Sequence, residues 1–135
     1  MIEFTDDLRT HVEAIDDQHQ ELISRVNAIV VLGLNAAPAE LQKTFDFLGE
    51  YVVEHFHDEE QLQIRSNYPK YRQHLLEHQH FVKDFAKLIL QYENKGISPK
   101  FSQQFIDFVV DWVMKHIKIS DADLAKHILK HPAAE

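Results

Sequence analysis

Few residues in this sequence can interrupt a helix. The chain of 135 residues contains three glycines and four prolines, and both types are rare inside helices because glycine costs backbone entropy and proline lacks a donor N–H. Between these breaks, apolar residues recur every three or four positions, which is the period of an amphipathic helix. The pattern predicts four helices, at about 11–35, 38–64, 71–96 and 98–117. Thr10 and Glu13 have the spacing of a capping box before the first helix.

Short connections separate the four predicted helices, and helices joined in this way pack as antiparallel neighbours. We therefore predict an all-α protein, an up-down-up-down antiparallel four-helix bundle, with residues 1–135 forming a single domain. We expect the tail from about 121 to 135 to hold a short helix through Leu124 and Ile128.

Charge and composition exclude several classes of function. The formal net charge is -8 at pH 7, and the Lys and Arg residues are scattered, whereas nucleic-acid and anionic membrane surfaces require basic clusters. Without cysteine, neither disulfides, iron–sulfur clusters nor thiolate-bound zinc can form. The longest apolar run, Ala28–Leu34, is too short to span a bilayer, and the N-terminus lacks the pattern of a secretory signal. We expect a cytoplasmic monomer with no nucleic-acid or membrane partner.

The chain contains ten histidines, and several share a helix face with apolar residues. Residues four apart lie on nearly the same face of a helix, so histidines at this spacing from buried positions point inward. The inward-facing candidates are His19 on the first predicted helix, His55 and Glu59 on the second, His74 and His78 on the third, and His116 on the fourth.

Taken alone, each of these histidines is more often a core residue with a local hydrogen bond than a metal ligand. Five imidazoles and a carboxylate in one core, however, leave many polar groups to satisfy, each costing about 1–3 kcal/mol if unpaired. A bound metal ion removes that cost, and these N and O donors suit iron, manganese, cobalt or zinc. We expect the remaining residues of this kind to lie in or near solvent: His11, His57, His80, His127, His131, Asp58 and Glu60.

The order and spacing of these residues resemble the hemerythrin family, in particular its bacterial branch. The matching segments are Ile15–His19, His55–Glu60, His74–His78 with Phe81, and Trp112–Ile117 ending in Asp121. The resemblance covers nearly the whole chain. It implies a non-haem centre of two Fe ions joined by a bridging oxo or hydroxo group. The chain departs from the bacterial pattern at three places: His11 stands in place of Gly, Gln63 stands in place of Met, and the family commonly has Trp near Phe4.

The resemblance also implies which residues bind the metal: His74, His78 and His116 would hold one iron, His19 and His55 the other, and Glu59 and Asp121 would bridge them. Three histidines then complete six-coordination at one iron, while two leave the other with five ligands. Asp121 follows His116 by five residues, which on an ideal helix turns it about 140° away. It reaches the metal only where the backbone widens or ends, as at a π-bulge. Otherwise Asp121 and Asp123 would cap the chain after Ser120.

The function implied by the resemblance is reversible binding of O2 at the five-coordinate iron as hydroperoxide, for O2 storage, delivery or sensing. Such a protein is not primarily an enzyme. The alternative is a di-iron enzyme or scavenger that acts on peroxide, nitric oxide or a small substrate. A polar route to the open iron would favour this alternative, and Gln63 is the candidate for it. A ferritin-like carboxylate oxidase is disfavoured, because such bundles use Glu-x-x-His pairs.

Overall fold

The computed structural model describes residues 2–32, 37–96 and 98–131, and within them the secondary structure is helical, without strands. The helices are α1 (Glu13–Leu32), α2 (Pro38–Arg65), α3 (Tyr71–Lys95), α4 (Pro99–Lys115) and α5 (Ala122–Lys130). A π-helical segment, His116–Asp121, joins α4 to α5, and a short 3₁₀ turn, Asp6–Leu8, precedes α1. The predicted all-α class is confirmed, as is the short helix in the tail. The predicted end of the first helix, near residue 35, lies outside the described residues.

Contacts between neighbouring helices show that they run antiparallel. Gln18 of α1 donates from Nε2 to Asp58 Oδ2 of α2, and further along α1 the Arg25 side chain donates to the carbonyl of Phe47. Higher residue numbers on α1 therefore meet lower numbers on α2. The same reversal relates α2 to α3, as the pairs Glu60–His78 and Gln42–Tyr92 show. It also relates α3 to α4, as the pairs Phe81–Trp112 and Tyr92–Phe101 show. The predicted up-down-up-down bundle is confirmed.

The start of α1 differs from the predicted capping box. Thr10 donates to Asp16 Oδ1 from its backbone N–H at 2.8 Å and from its hydroxyl at 2.7 Å. The N–H of His11 donates to the other oxygen of Asp16 at 3.1 Å. The carboxylate that satisfies these donors therefore comes from Asp16 and not from Glu13, which is exposed. His11 adopts a left-handed backbone conformation in this turn, with φ of 68°.

Two clusters of buried apolar side chains fill the bundle, and the inward-facing polar residues lie between them. The larger cluster is rich in aromatic residues, such as Phe45 stacked on Phe105 with ring centroids 4.1 Å apart. The smaller cluster lies at the α5 end and consists of Val12, Ile15, Tyr68, Leu124, Ala125 and Ile128. Along α1, for example, His19 separates Ile15 of the smaller cluster from Leu22 of the larger one. Within the described ranges, no helix has both the length and the apolar content needed to cross a membrane.

Candidate metal centre

A layer of polar side chains crosses the bundle between the two apolar clusters. Every candidate from the sequence lies in this layer and is buried, with at most 5% of its surface exposed. The residues brought together are His19 from α1, His55 and Glu59 from α2, His74 and His78 from α3, and His116 and Asp121 from the π-helical segment. All four sides of the bundle therefore contribute to one site.

The π-helical segment explains how Asp121 reaches this layer. In an α-helix, five residues make about 500°, whereas a π-helix joins residues five apart and needs more residues for each turn. His116 and Asp121 are the first and last residues of the segment, and His116 Nε2 lies 3.1 Å from Asp121 Oδ1. The expectation that Asp121 turns inward where the backbone widens is met. The alternative of a cap after Ser120 is wrong for Asp121, whose side chain is fully buried and makes no capping hydrogen bond.

Three imidazoles converge on one side of the layer, which we call the three-histidine half. The Nε2 atom of His116 lies 3.0 Å from that of His74 and 3.1 Å from that of His78. Glu59 Oε1 lies 2.8 Å from His74 Nε2 and 3.1 Å from His78 Nε2. Asp121 Oδ1 lies 3.0 Å from His74 Nε2. Five donor atoms are thus close enough to share one ion.

Two imidazoles occupy the other side, the two-histidine half. His19 Nε2 lies 2.7 Å from Asp121 Oδ2, and His55 Nε2 lies 3.4 Å from Glu59 Oε2. The two rings meet edge to face, with centroids 5.4 Å apart. Together with the two carboxylates, these imidazoles form a second group of four residues within reach of a common ion.

The two carboxylates belong to both halves of the site. Glu59 directs Oε1 toward the three-histidine half and Oε2 toward His55. Asp121 directs Oδ1 toward the three-histidine half and Oδ2 toward His19. Each carboxylate therefore offers one oxygen to each half, which is the arrangement that a pair of metal ions bridged by carboxylates requires.

Hydrogen bonds within the described part of the protein leave several buried polar atoms of this layer without a partner. Among the described residues, buried atoms without a hydrogen-bond partner include Glu59 Oε2, Asp121 Oδ1 and His19 Nδ1. The three facing Nε2 atoms cannot all be paired either, because each ring nitrogen either donates or accepts. Donor atoms at neighbouring positions of an octahedral ion, with bonds of about 2.1 Å, lie about 3.0 Å apart. The spacing and chemistry of the donors therefore fit a non-haem metal site.

Without metal, the buried carboxylates draw protons onto the neighbouring imidazoles. Burial lowers the pKa of His74 and of His116, but hydrogen bonds and charges from Asp121 and Glu59 outweigh it and raise the pKa values to about 9 and about 10. Against the opposing effect of burial, the imidazoles hold the pKa of both carboxyls below its usual range. Burial dominates at His55, whose pKa is lowered. Metal ions would therefore have to displace protons from the three-histidine half.

Side chains behind the imidazoles also orient them, and the sequence did not identify these. His55 Nδ1 donates to Gln18 Oε1 at 2.6 Å, and Gln18 Nε2 donates in turn to Asp58 Oδ2 at 2.9 Å. His78 Nδ1 donates to Glu60 Oε2 at 2.9 Å. Asp58 and Glu60, which were expected in or near solvent, are half-buried, and the sequence did not predict their hydrogen bonds. Asp58 and Glu60 lie where neighbouring helices pack together. To predict their contacts, one would need to know how the antiparallel helices align with each other.

Aromatic rings pack directly against two of the imidazoles. Phe56 stacks on His78 with ring centroids 3.8 Å apart, and Trp112 stacks on His116 with centroids 4.3 Å apart. These contacts restrict rotation of the imidazoles and keep water from their faces.

Gln63 lies one turn beyond Glu59 on α2 and is fully buried. Neither its amide nitrogen nor its amide oxygen has a hydrogen-bond partner among the described residues. The side chain therefore adds polarity to the interior beside the site but does not itself reach the surface.

The other histidines lie where the sequence placed them. Four of them are exposed, namely His11, His57, His80 and His131. His127 is half-buried, and its ring nitrogen Nε2 donates to the carbonyl of Ser66 at 2.7 Å. The prediction that these five lie in or near solvent is confirmed.

Comparison with known proteins agrees with this geometry. Residues 10–128 match the family model of the hemerythrin HHE cation binding domain. The chain is 25% identical over 131 residues to a bacteriohemerythrin of Stenotrophomonas maltophilia (strain R551-3), covering 97% of this chain and 84% of the relative. It is 32% identical over 108 residues to a bacteriohemerythrin of Methylococcus capsulatus, covering 80% of this chain and 81% of the relative.

A myohemerythrin and a solved structure lead to the same family. A myohemerythrin of Sipunculus nudus is 29% identical over 109 residues, covering 81% of this chain and 78% of the relative. The crystal structure of a wild-type hemerythrin superposes with a TM-score of 0.82 at 27% identity, covering 99% of this chain and 97% of that one. The fold, the ordered histidines and the match over residues 10–128 together show that the chain belongs to the hemerythrin family.

Proposed function

We propose that this chain is a single-domain, non-haem di-iron protein that binds O2 reversibly for storage, delivery or sensing. The observation that carries the proposal is that two carboxylates are shared equally by two halves with unequal numbers of imidazoles. Glu59 and Asp121 each offer one oxygen to both halves, while one half has three imidazoles and the other has two. Two ions held in this way would have different numbers of protein ligands.

The distances support one assignment of ligands. His74, His78 and His116 would hold one ion together with one oxygen of each carboxylate. His19 and His55 would hold the other with the two remaining oxygens. With one further bridging oxygen between the ions, the first would have six ligands and the second five. The two irons, when bound, supply two electrons and a single open coordination position for O2.

The remainder of the site supports binding over catalysis. Apolar side chains from α2, α4 and the π-helical segment surround the polar layer, among them Phe56, Val113 and Ile117, each at most 4% exposed. Dry, apolar walls limit the supply of protons and water to a bound oxygen species. Such walls would favour release of O2 over its reduction.

The carboxylates and imidazoles also balance charge around the ions. Although burial raises the pKa of both carboxyls, hydrogen bonds from the histidines at Glu59, and hydrogen bonds together with the charge of His116 at Asp121, hold each pKa below its usual range, so both carboxylates are charged. Each of two divalent ions therefore meets anionic oxygen, which compensates for the loss of hydration on entering a buried site.

Metal analysis and aeration of the reduced protein test the proposal. We expect two irons for each chain and a visible charge-transfer band that appears with O2 and disappears on degassing, over repeated cycles. His57→Ala is the matched control, since His57 is exposed on the same helix as His55. The charge-transfer band of this variant should be the same as that of the wild type. One ion for each chain would overturn the di-iron assignment. Rapid one-way oxidation with turnover of peroxide, nitric oxide or a small substrate would replace carriage with an enzyme.

A further inference from the structure

Three polar side chains form a continuous hydrogen-bonded chain behind the two-histidine half. Gln18 of α1 lies between Asp58 and His55, both on α2, and contacts each of them. A carboxylate can only accept, so the amide group must turn its N–H₂ toward Asp58. Its oxygen then faces His55 at 2.6 Å, and the Nδ1 atom of His55 must donate. The tautomer of His55 is thereby determined, and its Nε2 lone pair faces the site.

The corresponding contact in the three-histidine half carries a charge. His78 Nδ1 donates directly to a carboxylate oxygen of Glu60 at 2.9 Å. A charged acceptor polarises the N–H more strongly than a neutral amide does, which makes the opposite nitrogen a stronger donor to a metal. His55 meets an amide where His78 meets a carboxylate, so the two halves differ in electron donation as well as in number of imidazoles.

Among the described residues, no second contact of this kind supports the two-histidine half. His19, the other imidazole there, is fully buried, and its Nδ1 atom has no hydrogen-bond partner in the part of the chain that is described. In the two-histidine half, the observed hydrogen bond to the outer nitrogen of an imidazole is therefore the one that the Gln18 amide makes with His55. Its removal should affect one half of the site selectively.

We propose that Gln18, held by Asp58, is a positioning residue that fixes the tautomer of His55 and keeps the two-histidine half the weaker electron donor. This inference rests on the proposed function, because it assigns a consequence to His55 as a ligand. A weaker donor set stabilises the reduced ion relative to the oxidised one. The neutral amide thus favours return of electrons, and hence release of O2, at the half with the open position.

Exchange of the two polar partners provides a test that preserves their net charge. In the double variant Gln18→Glu/Asp58→Asn, an asparagine amide can donate to the new glutamate, whose carboxylate then accepts from His55 Nδ1. The hydrogen bonds are conserved, but the charge moves next to the imidazole. Gln18→Glu alone is less informative, because it would place two carboxylates side by side.

Two readouts separate an electronic role from a structural one. In the zinc-loaded, diamagnetic protein labelled with ¹⁵N-histidine, we expect the Nδ1–H proton of His55 to move downfield in the double variant. In the iron-loaded protein, we expect the reduction potential to fall and one-way oxidation to quicken. Glu60→Gln is the matched control in the other half, where loss of the charge beside His78 should raise the potential.

Removal of the hydrogen bond provides a second, independent measurement. Gln18→Ala should weaken binding of one zinc ion of the pair by about 10–100-fold and leave the other unchanged. The exchanged double variant should restore that affinity. Unchanged affinity in Gln18→Ala, or an unchanged His55 resonance and potential in the double variant, would overturn the inference. Failure of the proposed function would look different, since the wild-type chain itself would then hold fewer than two ions or would oxidise one way with turnover of a substrate.

Discussion

His19 and Asp121 are 102 residues apart in the chain, yet His19 Nε2 lies 2.7 Å from Asp121 Oδ2. The contact joins the first helix to the end of the π-helical segment and closes the ring of helices around the polar layer. Both side chains are fully buried. In a metal-free core this pair is a buried ion pair or hydrogen bond, whereas with metal both atoms would be ligands of one ion.

Loss of one imidazole from the three-histidine half tests the assignment of ligands. His74→Ala removes a donor whose Nε2 atom lies within 3.0 Å of both Glu59 and Asp121. We expect metal content to fall by roughly half or more, and thermal stability of the metal-loaded protein to fall with it, because binding energy contributes to folding energy.

The control for this prediction is His57→Ala, which changes an exposed histidine on α2. Its metal content and melting temperature should equal those of the wild type. Full iron content in His74→Ala would contradict the assignment, and loss of metal from His57→Ala would show that the wrong face of α2 had been identified.

The sequence predicted the inward-facing residues because the helical period places them on apolar faces. His55 and Glu59, four apart, share such a face, and the structure places both in the polar layer. Asp121 was harder to place, since its five-residue step from His116 fits the site only through a π-helical segment. The periodicity of a regular helix does not predict where such a segment forms, so the resemblance to the family had to supply this residue.

Residues outside a single helix face could not be predicted. Gln18 and Glu60 contact imidazoles on neighbouring helices, and these contacts depend on the register between helices. Asp16 provides the acceptor at the start of α1, in a turn where His11 adopts a left-handed conformation, and the capping-box spacing of Thr10 and Glu13 did not predict this contact. Short-range spacing therefore predicted the donors of the site, while the packing of the helices determines which side chains support them.

Replacement of His11 by glycine should stabilise the protein. His11 has φ of 68°, a left-handed conformation that costs a residue with a side chain about 1–2 kcal/mol. His11→Gly relieves that cost and retains the N–H that donates to Asp16. Because glycine also gains entropy in the unfolded chain, we expect a net gain of about 0.5–1 kcal/mol in the free energy of unfolding, measured with urea.

Asn67 provides the comparison for this variant, since its φ of 55° lies in the same region and asparagine adopts that conformation readily. Asn67→Gly should change the free energy of unfolding by less than about 0.5 kcal/mol. A loss of stability in His11→Gly would mean that the imidazole itself makes a stabilising contact.

Replacement of Gln63 by methionine should also stabilise the metal-free protein. Gln63 is fully buried, and both polar atoms of its amide lack a partner among the described residues. Methionine has nearly the same shape and no unsatisfied polar group, so we expect a gain of about 1–3 kcal/mol in the free energy of unfolding. Gln63→Glu, of equal size, should lower stability because it buries a charge. A loss of stability in Gln63→Met would reveal that the amide holds an internal water molecule.

Metal loading should release protons at neutral pH. In the metal-free protein the pKa of His74 is raised to about 9 and that of His116 to about 10 by the carboxylates beside them, against the opposing effect of burial. Both rings are therefore protonated at pH 7, and a metal ion must displace those protons. Calorimetric titration with zinc in buffers of different ionisation enthalpy should detect release of about two protons.

The same shifts determine how the stability of the metal-free protein depends on pH. A histidine with a raised pKa stabilises the fold fully below its unfolded value of about 6.5, and this contribution is lost as pH rises through the folded values of about 9 and about 10. The melting temperature of the metal-free protein should therefore fall between roughly pH 6.5 and 10. Zinc-loaded protein should not show this fall, because metal replaces the protons. Equal pH dependence of the two forms, with no proton release, would mean that these imidazoles do not bind the metal.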